Sequence, residues 1–112
     1  ELAVVKQRNL PIKIIIVNNE ALGMVRQWQE SFYEERYSES ILDQNPDFVK
    51  LAESYGIRGE RVTREDEVVD KLKDIFAYDG PVVLDARVVK LENVFPMIAP
   101  GKGLNEMMGV TK

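Results

Sequence analysis

Residues 12–29 read IKIIIVNNEALGMVRQWQ, an aliphatic run that stops on two adjacent asparagines and continues into a glycine, a methionine and the chain's one tryptophan. Apart from Lys13, residues 12–17 are all β-branched. Near-continuous apolarity of that length predicts a central strand covered on both faces, as in a parallel sheet. Asn18 to Gly23 would then lie beyond the strand's carboxyl end, where loops enter helix N-termini and open amides favour anions. From Ala21 to about Tyr37 the pattern is helical, with Met24, Trp28 and Phe32 spaced by four on one stripe.

Working outward, residues 1–8 read as the last turns of a helix, stopped by Asn9 and the Leu10-Pro11 step. The chain opens on Glu1-Leu2-Ala3-Val4-Val5, without methionine and already in helical pattern, and so reads as a piece of something longer. Asn45-Pro46-Asp47 signals a second helix start with Asn45 as its cap. Phe48, Leu51, Ala52 and Tyr55 form the apolar stripe of that helix, and Gly56 ends it in the left-handed region. Residues 57–62 form a short strand. Thr63 and Asp66 have capping-box spacing before a helix whose buried face is Val68, Leu72, Ile75 and Phe76, closed by Gly80-Pro81. The last strand, PVVLDARVV over residues 81–89, is apolar enough for the sheet interior, and Asp85 is the acidic residue whose burial needs an explanation. This order predicts an α/β fold, a three-layer α/β/α arrangement on a mostly parallel sheet with right-handed crossovers. The domain is expected over residues 1–90. Residues 91–112 are expected to form an extended arm with one helical turn at 104–108.

Composition narrows the chemistry. The chain has 112 residues, 45% hydrophobic and 30% charged, as a folded single domain requires. Its net charge of −4 and scattered basic residues exclude the electrostatic footprint of nucleic-acid binding. No apolar run approaches the length of a membrane span, and nothing reads as a secretory segment. Cysteine and histidine are both missing, which removes thiolate chemistry, the commonest general base and the commonest transition-metal ligands. What remains is carboxylates, amides, a hard metal or a borrowed cofactor. Asn18 and Asn19 allow two readings: a turn with a helix cap, or an amide oxygen offered to a cation such as Mg²⁺ that shares its shell with phosphates. Gly23 would allow close approach of a diphosphate. Met24 and Trp28 are either core or pocket. Glu20 is placed near such a site, whereas Glu30, Glu34, Glu35, Glu65 and Glu67 read as a solvated face. Dinucleotide and Walker phosphate loops are absent.

Three strings, IIIVNNEALGMVRQWQESFYEERYSES, NPDFVKLAESYGIRGERVT and GPVVLDARVVKLENVFPMIAPGKGLNEMM, closely resemble the C-terminal end of the acetolactate synthase (acetohydroxyacid synthase) catalytic subunit. The resemblance covers almost the whole chain. It implies that the double asparagine closes a thiamine-diphosphate motif, with Asn19 ligating Mg²⁺ through its side-chain oxygen and Ala21 through its main-chain carbonyl. Gly23 would lie against the diphosphate and Met24 would line the thiazolium end. Trp28 would belong to the second-substrate pocket and to the channel where herbicidal inhibitors bind. The arm from Val94 to Leu104 resembles a segment that folds over the active site.

The opening Gly-Asp-Gly half of the motif is not in these residues, and by the family's spacing lies upstream of Glu1. The cofactor-activating glutamate and the FAD-binding middle domain also lie outside, so none of these residues is expected to be catalytic and the piece alone is expected to be inactive. The implied parent decarboxylates pyruvate and joins the hydroxyethyl unit to a second 2-oxoacid, pyruvate or 2-oxobutyrate, on the way to valine and isoleucine. Its partners would be the rest of the catalytic subunit, a dimer or tetramer mate and a small regulatory subunit; its place would be the cytoplasm, or the plastid of a plant. The alternative of another class is a non-catalytic α/β module or regulatory remnant that binds a partner or itself.

Overall fold

The computed structural model describes residues 1–110. In chain order the elements are α1 (Leu2–Gln7), β1 (Lys13–Asn18), α2 (Gly23–Phe32), α3 (Phe48–Ser54), β2 (Arg58–Val62), α4 (Val68–Ala77), β3 (Val82–Arg87), β4 (Met97–Ile98) and β5 (Met107–Met108), with 3-10 turns at Glu65–Glu67 and Leu104–Glu106. The chain packs as two compact units, one of Glu1–Glu20 with Asp43–Val89 and one of Ala21–Leu42 with Lys90–Lys112.

The first unit is a three-layer α/β/α stack on a parallel sheet, as expected. Its three strands run in the order β1-β3-β2, and β3 pairs in parallel with β1 (Lys13↔Val82) and with β2 (Arg58↔Val82). On one face Val5 of α1 and Ala52 of α3 pack with Ile57 and Val83, joined by Ile14 and Ile16. On the other, Ile75 of α4 packs with Val62, Val82 and Leu84, joined by Val68 and Leu72.

β1 does not take the central place its aliphatic run suggested. β3 does, and β1 lies at an edge of this sheet. α4 packs on β2 and β3, so Ile15 and Val17 on that side of β1 remain 41% and 71% exposed. Hydrophobicity on both faces of a strand records what it can bury, and here only one face of β1 is covered.

Helix ends needed finer chemistry than the sequence pattern supplied. α3 is capped by Asp47, not Asn45: Asp47 Oδ1 accepts the N–H groups of Val49 (3.0 Å) and Lys50 (3.2 Å), which satisfies two first-turn amides at once. Gly56 does close the helix at φ +69°. Thr63 caps nothing, because a 3-10 turn over Glu65–Glu67 precedes α4 and no side chain caps either element. The buried face of α4 centres on Ile75, and Phe76, one position further round, is 63% exposed.

In the second unit α2 stops at Phe32, short of Tyr37, since Glu34 and Glu35 adopt φ of +54° and +56° and cannot continue a right-handed helix. The arm is more than an extended strand: Met97 and Ile98 pair antiparallel with Met108 and Met107. The turn expected at 104–108 is a 3-10 turn, with the Gly103 N–H donating to Glu106 at 3.3 Å. The arm's last two positions lie outside the described residues. No described helix is long and apolar enough to cross a membrane.

Candidate functional site

In the first unit the carboxyl ends of the strands are tied by one buried carboxylate. Asp85 on β3, 1% exposed, accepts from Asn18 Nδ2 of β1 (2.9 Å), Arg61 Nε of β2 (2.9 Å) and Arg87 Nε (3.1 Å). The other end of the Asn18 amide accepts the Glu20 N–H at 3.0 Å. That closes an Asx turn in which Glu20 takes φ +54°, and the Glu20 carboxylate pairs with Arg87. The two asparagines therefore separate. Asn18 is buried and engaged at both ends of its amide, while Asn19 is partly exposed at the end of the strand. Glu20, placed near a site by sequence, pairs with Arg87.

Ala21, Gly23, Met24 and Trp28 belong to the second unit. Ala21 bridges Ile41 in antiparallel fashion, and the Leu22 N–H donates to the Ser40 carbonyl at 2.8 Å, which anchors the entry to α2. Gly23 is the first residue of that helix, and no side chain caps its N-terminus. The helix then inverts the expected burial. Met24 and Trp28 are 52% and 38% exposed, Trp28 resting edge-on against Phe32 at 5.6 Å, while Arg26 and Gln27 are buried. Arg26 pairs with Glu30 and bonds Asn93 Oδ1 and the Glu92 carbonyl (3.3 Å); Asn93 Nδ2 donates to Glu30 Oε1 at 3.1 Å. Gln27 bonds the carbonyl and the N–H of Val94.

Sequence reading missed Arg26, Gln27, Gln29, Ser40 and Asn93 as site-building residues. Gln27 and Gln29 flank Trp28 in the quoted motif, and that flanking was the available signal. Buried polar residues such as Arg26 and Gln27 have no periodicity to announce them.

The donors suit a thiamine cofactor in part. An amide oxygen and a main-chain carbonyl are the hard neutral ligands Mg²⁺ accepts, and an uncapped helix start favours phosphate oxygens. Among the described residues no group of three or more acidic side chains is placed to hold a metal. A cleft of about 700 Å³ in the first unit, lined by Ile15, Val62, Val68, Leu72, Leu84 and Val89, contains none of these candidates. It is the apolar face that α4 leaves open beside β1.

Residues 1–86 match the family model described as "Thiamine pyrophosphate enzyme, C-terminal TPP binding domain". The chain is 47% identical over 108 residues to the acetolactate synthase isozyme 2 large subunit of Escherichia coli K12, covering 96% of this chain and 20% of that protein. It is 50% identical over 113 residues to the acetolactate synthase large subunit of Cyanidium caldarium, covering 100% and 19%. Against the mitochondrial acetolactate synthase catalytic subunit of Saccharomyces cerevisiae it is 48% identical over 108 residues, covering 96% and 16%. Among solved structures, a thiamine diphosphate-dependent 4-hydroxybenzoylformate decarboxylase of Rhodococcus jostii RHA1 superposes with a TM-score of 0.69 at 30% identity, over 79% of this chain and 16% of that one. The chain thus spans 16–20% of the length of these proteins.

Proposed function

The chain belongs to the family of C-terminal TPP-binding domains of thiamine pyrophosphate enzymes, and we propose that it is that part of an acetolactate synthase large subunit, acting only within the complete subunit. The observation that carries the site reading is the division of labour at the end of β1. Asn18, held by Asp85 and the Glu20 N–H, fixes the turn at the end of β1 that contains Asn19.

In this reading Asn19 and the Ala21 carbonyl hold Mg²⁺, with the charged ligand supplied by the rest of the subunit. Gly23 and the first-turn amides of α2 face the diphosphate. Thiamine diphosphate, when bound, supplies a thiazolium that acts as the electron sink for decarboxylating a 2-oxoacid. Met24 borders that ring, and Trp28 shapes the pocket for the second 2-oxoacid, pyruvate or 2-oxobutyrate. FAD, a dimer or tetramer mate and a small regulatory subunit belong to the complete enzyme of valine and isoleucine synthesis, in the cytoplasm or a plastid.

Two substitutions in the complete subunit test these roles. Asn19→Ala is expected to raise the Mg²⁺ concentration for half-maximal acetolactate formation by about 100-fold, the upper end of the range for a weakened metal environment. An unchanged Mg²⁺ response would remove Asn19 from the metal site. Trp28→Leu is expected to lower the preference for 2-oxobutyrate over pyruvate by about 10-fold, the scale of a lost pocket contact. A product ratio equal to that of the native enzyme would mean Trp28 does not touch the second substrate.

The exposed Ile15 and Val17 also fit the rival reading, a non-catalytic module that covers β1 with a partner or a second copy. The coding sequence upstream of Glu1 separates the two. A Gly-Asp-Gly element at the family's spacing supports the synthase, and a start codon close by supports the module.

A further inference from the structure

Gln27 is 1% exposed, and its carboxamide lies against the main chain of Val94, with Met97 Sδ 3.5 Å from its Nε2. Its Nε2 donates to the Val94 carbonyl at 2.9 Å, and its Oε1 accepts the Val94 N–H at 2.9 Å. Both bonds go to the main chain of one residue, so the side chain pairs with the arm as a neighbouring strand would, whatever stands at position 94. Next to it, Arg26, Glu30 and Asn93 close a three-membered polar cluster, with Arg26 also bonded to the Glu92 carbonyl. Residues 92, 93 and 94 are thus each held by α2 across 63 to 67 residues of sequence.

The other flank of the helix is secured in the same way. Gln29 Nε2 donates to the Ser38 carbonyl at 3.0 Å, and Gln29 Oε1 accepts the Ser40 hydroxyl at 2.5 Å. Positions 26, 27, 29 and 30 are therefore all committed to neighbouring segments, and Met24 and Trp28 lie on the surface left open, with Val25 and Phe32. Burying a primary amide without partners is costly, and two well-made bonds to the main chain of one residue offset that cost only in this docked arrangement.

We infer that Gln27 is a positioning residue, a latch that fixes the arm at Val94 on α2 and so sets one wall of the surface carrying Met24 and Trp28. The latch stands on this geometry alone. Its effect on 2-oxoacid binding rests on the proposed synthase reading.

The test compares the native chain with Gln27→Glu, which keeps the acceptor and loses the donor, and Gln27→Met, which keeps the length and loses both. Amide hydrogen exchange at Val94 is read against Leu84 in the sheet. Val94 should exchange at least 10-fold faster in Gln27→Met and by an intermediate factor in Gln27→Glu, with Leu84 unchanged. Equal Val94 rates in all three chains would overturn the latch. A parallel rise at Leu84 would show a general loss of stability, and would overturn it as well.

In the complete subunit, Gln27→Met should raise the KM for the 2-oxoacid about 10-fold with kcat within twofold, and Gln27→Glu should recover part of the loss. An unaltered KM beside a faster Val94 amide would overturn the positioning role. A native subunit that forms no acetolactate would sink the synthase reading and the wall it implies, while the Val94 series would still decide the latch.

Discussion

Replacing Asp85 with alanine should lower the stability of the chain by about 3 to 4 kcal/mol, read as a shifted urea midpoint by far-ultraviolet circular dichroism. The carboxylate is buried in the middle strand and receives one donor from each of three strands, Asn18 of β1, Arg61 of β2 and Arg87 of β3. Removing it strands the Asn18 amide, which is 6% exposed, and leaves two guanidinium groups facing a void. The loss sits toward the lower end of the range for broken buried pairs because both arginines have second partners. Arg61 bonds Asp47 at 2.7 Å, Arg87 pairs with Glu20, and each keeps about a third of its side chain in water. Asp85→Asn keeps the shape but turns an N–H₂ toward a donor, and should recover only part of the loss. A change below about 1 kcal/mol for the alanine variant would mean that the strand ends are held by backbone pairing alone. The same substitution should loosen the turn through Glu20, since Asn18 orients that turn only while Asp85 orients Asn18.

Arg26→Ala is the second large effect, expected at about 3 kcal/mol and visible in the fluorescence of Trp28, the chain's single tryptophan. Arg26 is fully buried and serves three acceptors, the Glu30 carboxylate, Asn93 Oδ1 and the Glu92 carbonyl. Lysine cannot reproduce that fork, so Arg26→Lys should restore less than half of the loss. The cluster is also sensitive to acid. Hydrogen bonds from Arg26 and then Asn93 hold the Glu30 carboxyl below its usual range. A carboxylate whose folded pKa is depressed contributes fully above its unfolded value, about 4.3 for glutamate, and loses that contribution as pH falls through the folded value. The difference in stability between the native chain and Arg26→Ala should therefore be constant from neutral pH to about 5 and narrow below about 4. A difference that stays constant to pH 3 would show that Glu30 is not Arg26's working partner.

Much of the fold was legible because its signals are local. The β-branched run at 12–17, the helix closed by Gly56 and the apolar PVVLDARVV each lie within one element, and the strand–helix order carries the parallel α/β arrangement with it. The double asparagine was legible as a place, since a strand ending on two amides before a glycine-started helix is unusual whatever its use. Its internal division was not. Asn18 is structural because Asp85 stands 67 residues away in sequence and beside it in space.

The sequence by itself determined the α/β class, the order and near-extent of its strands, and the stretch on which cofactor chemistry would be sought. Tertiary structure alone decided that β3 and not β1 takes the middle of the sheet, that Asp85 joins three strand ends, and that α2 buries Arg26 and Gln27 while exposing Met24 and Trp28. The reason is physical. Periodicity and propensity report the chain's preferences within a few residues, whereas the burial of a charge or an amide is permitted only by partners that the fold brings from far along the chain.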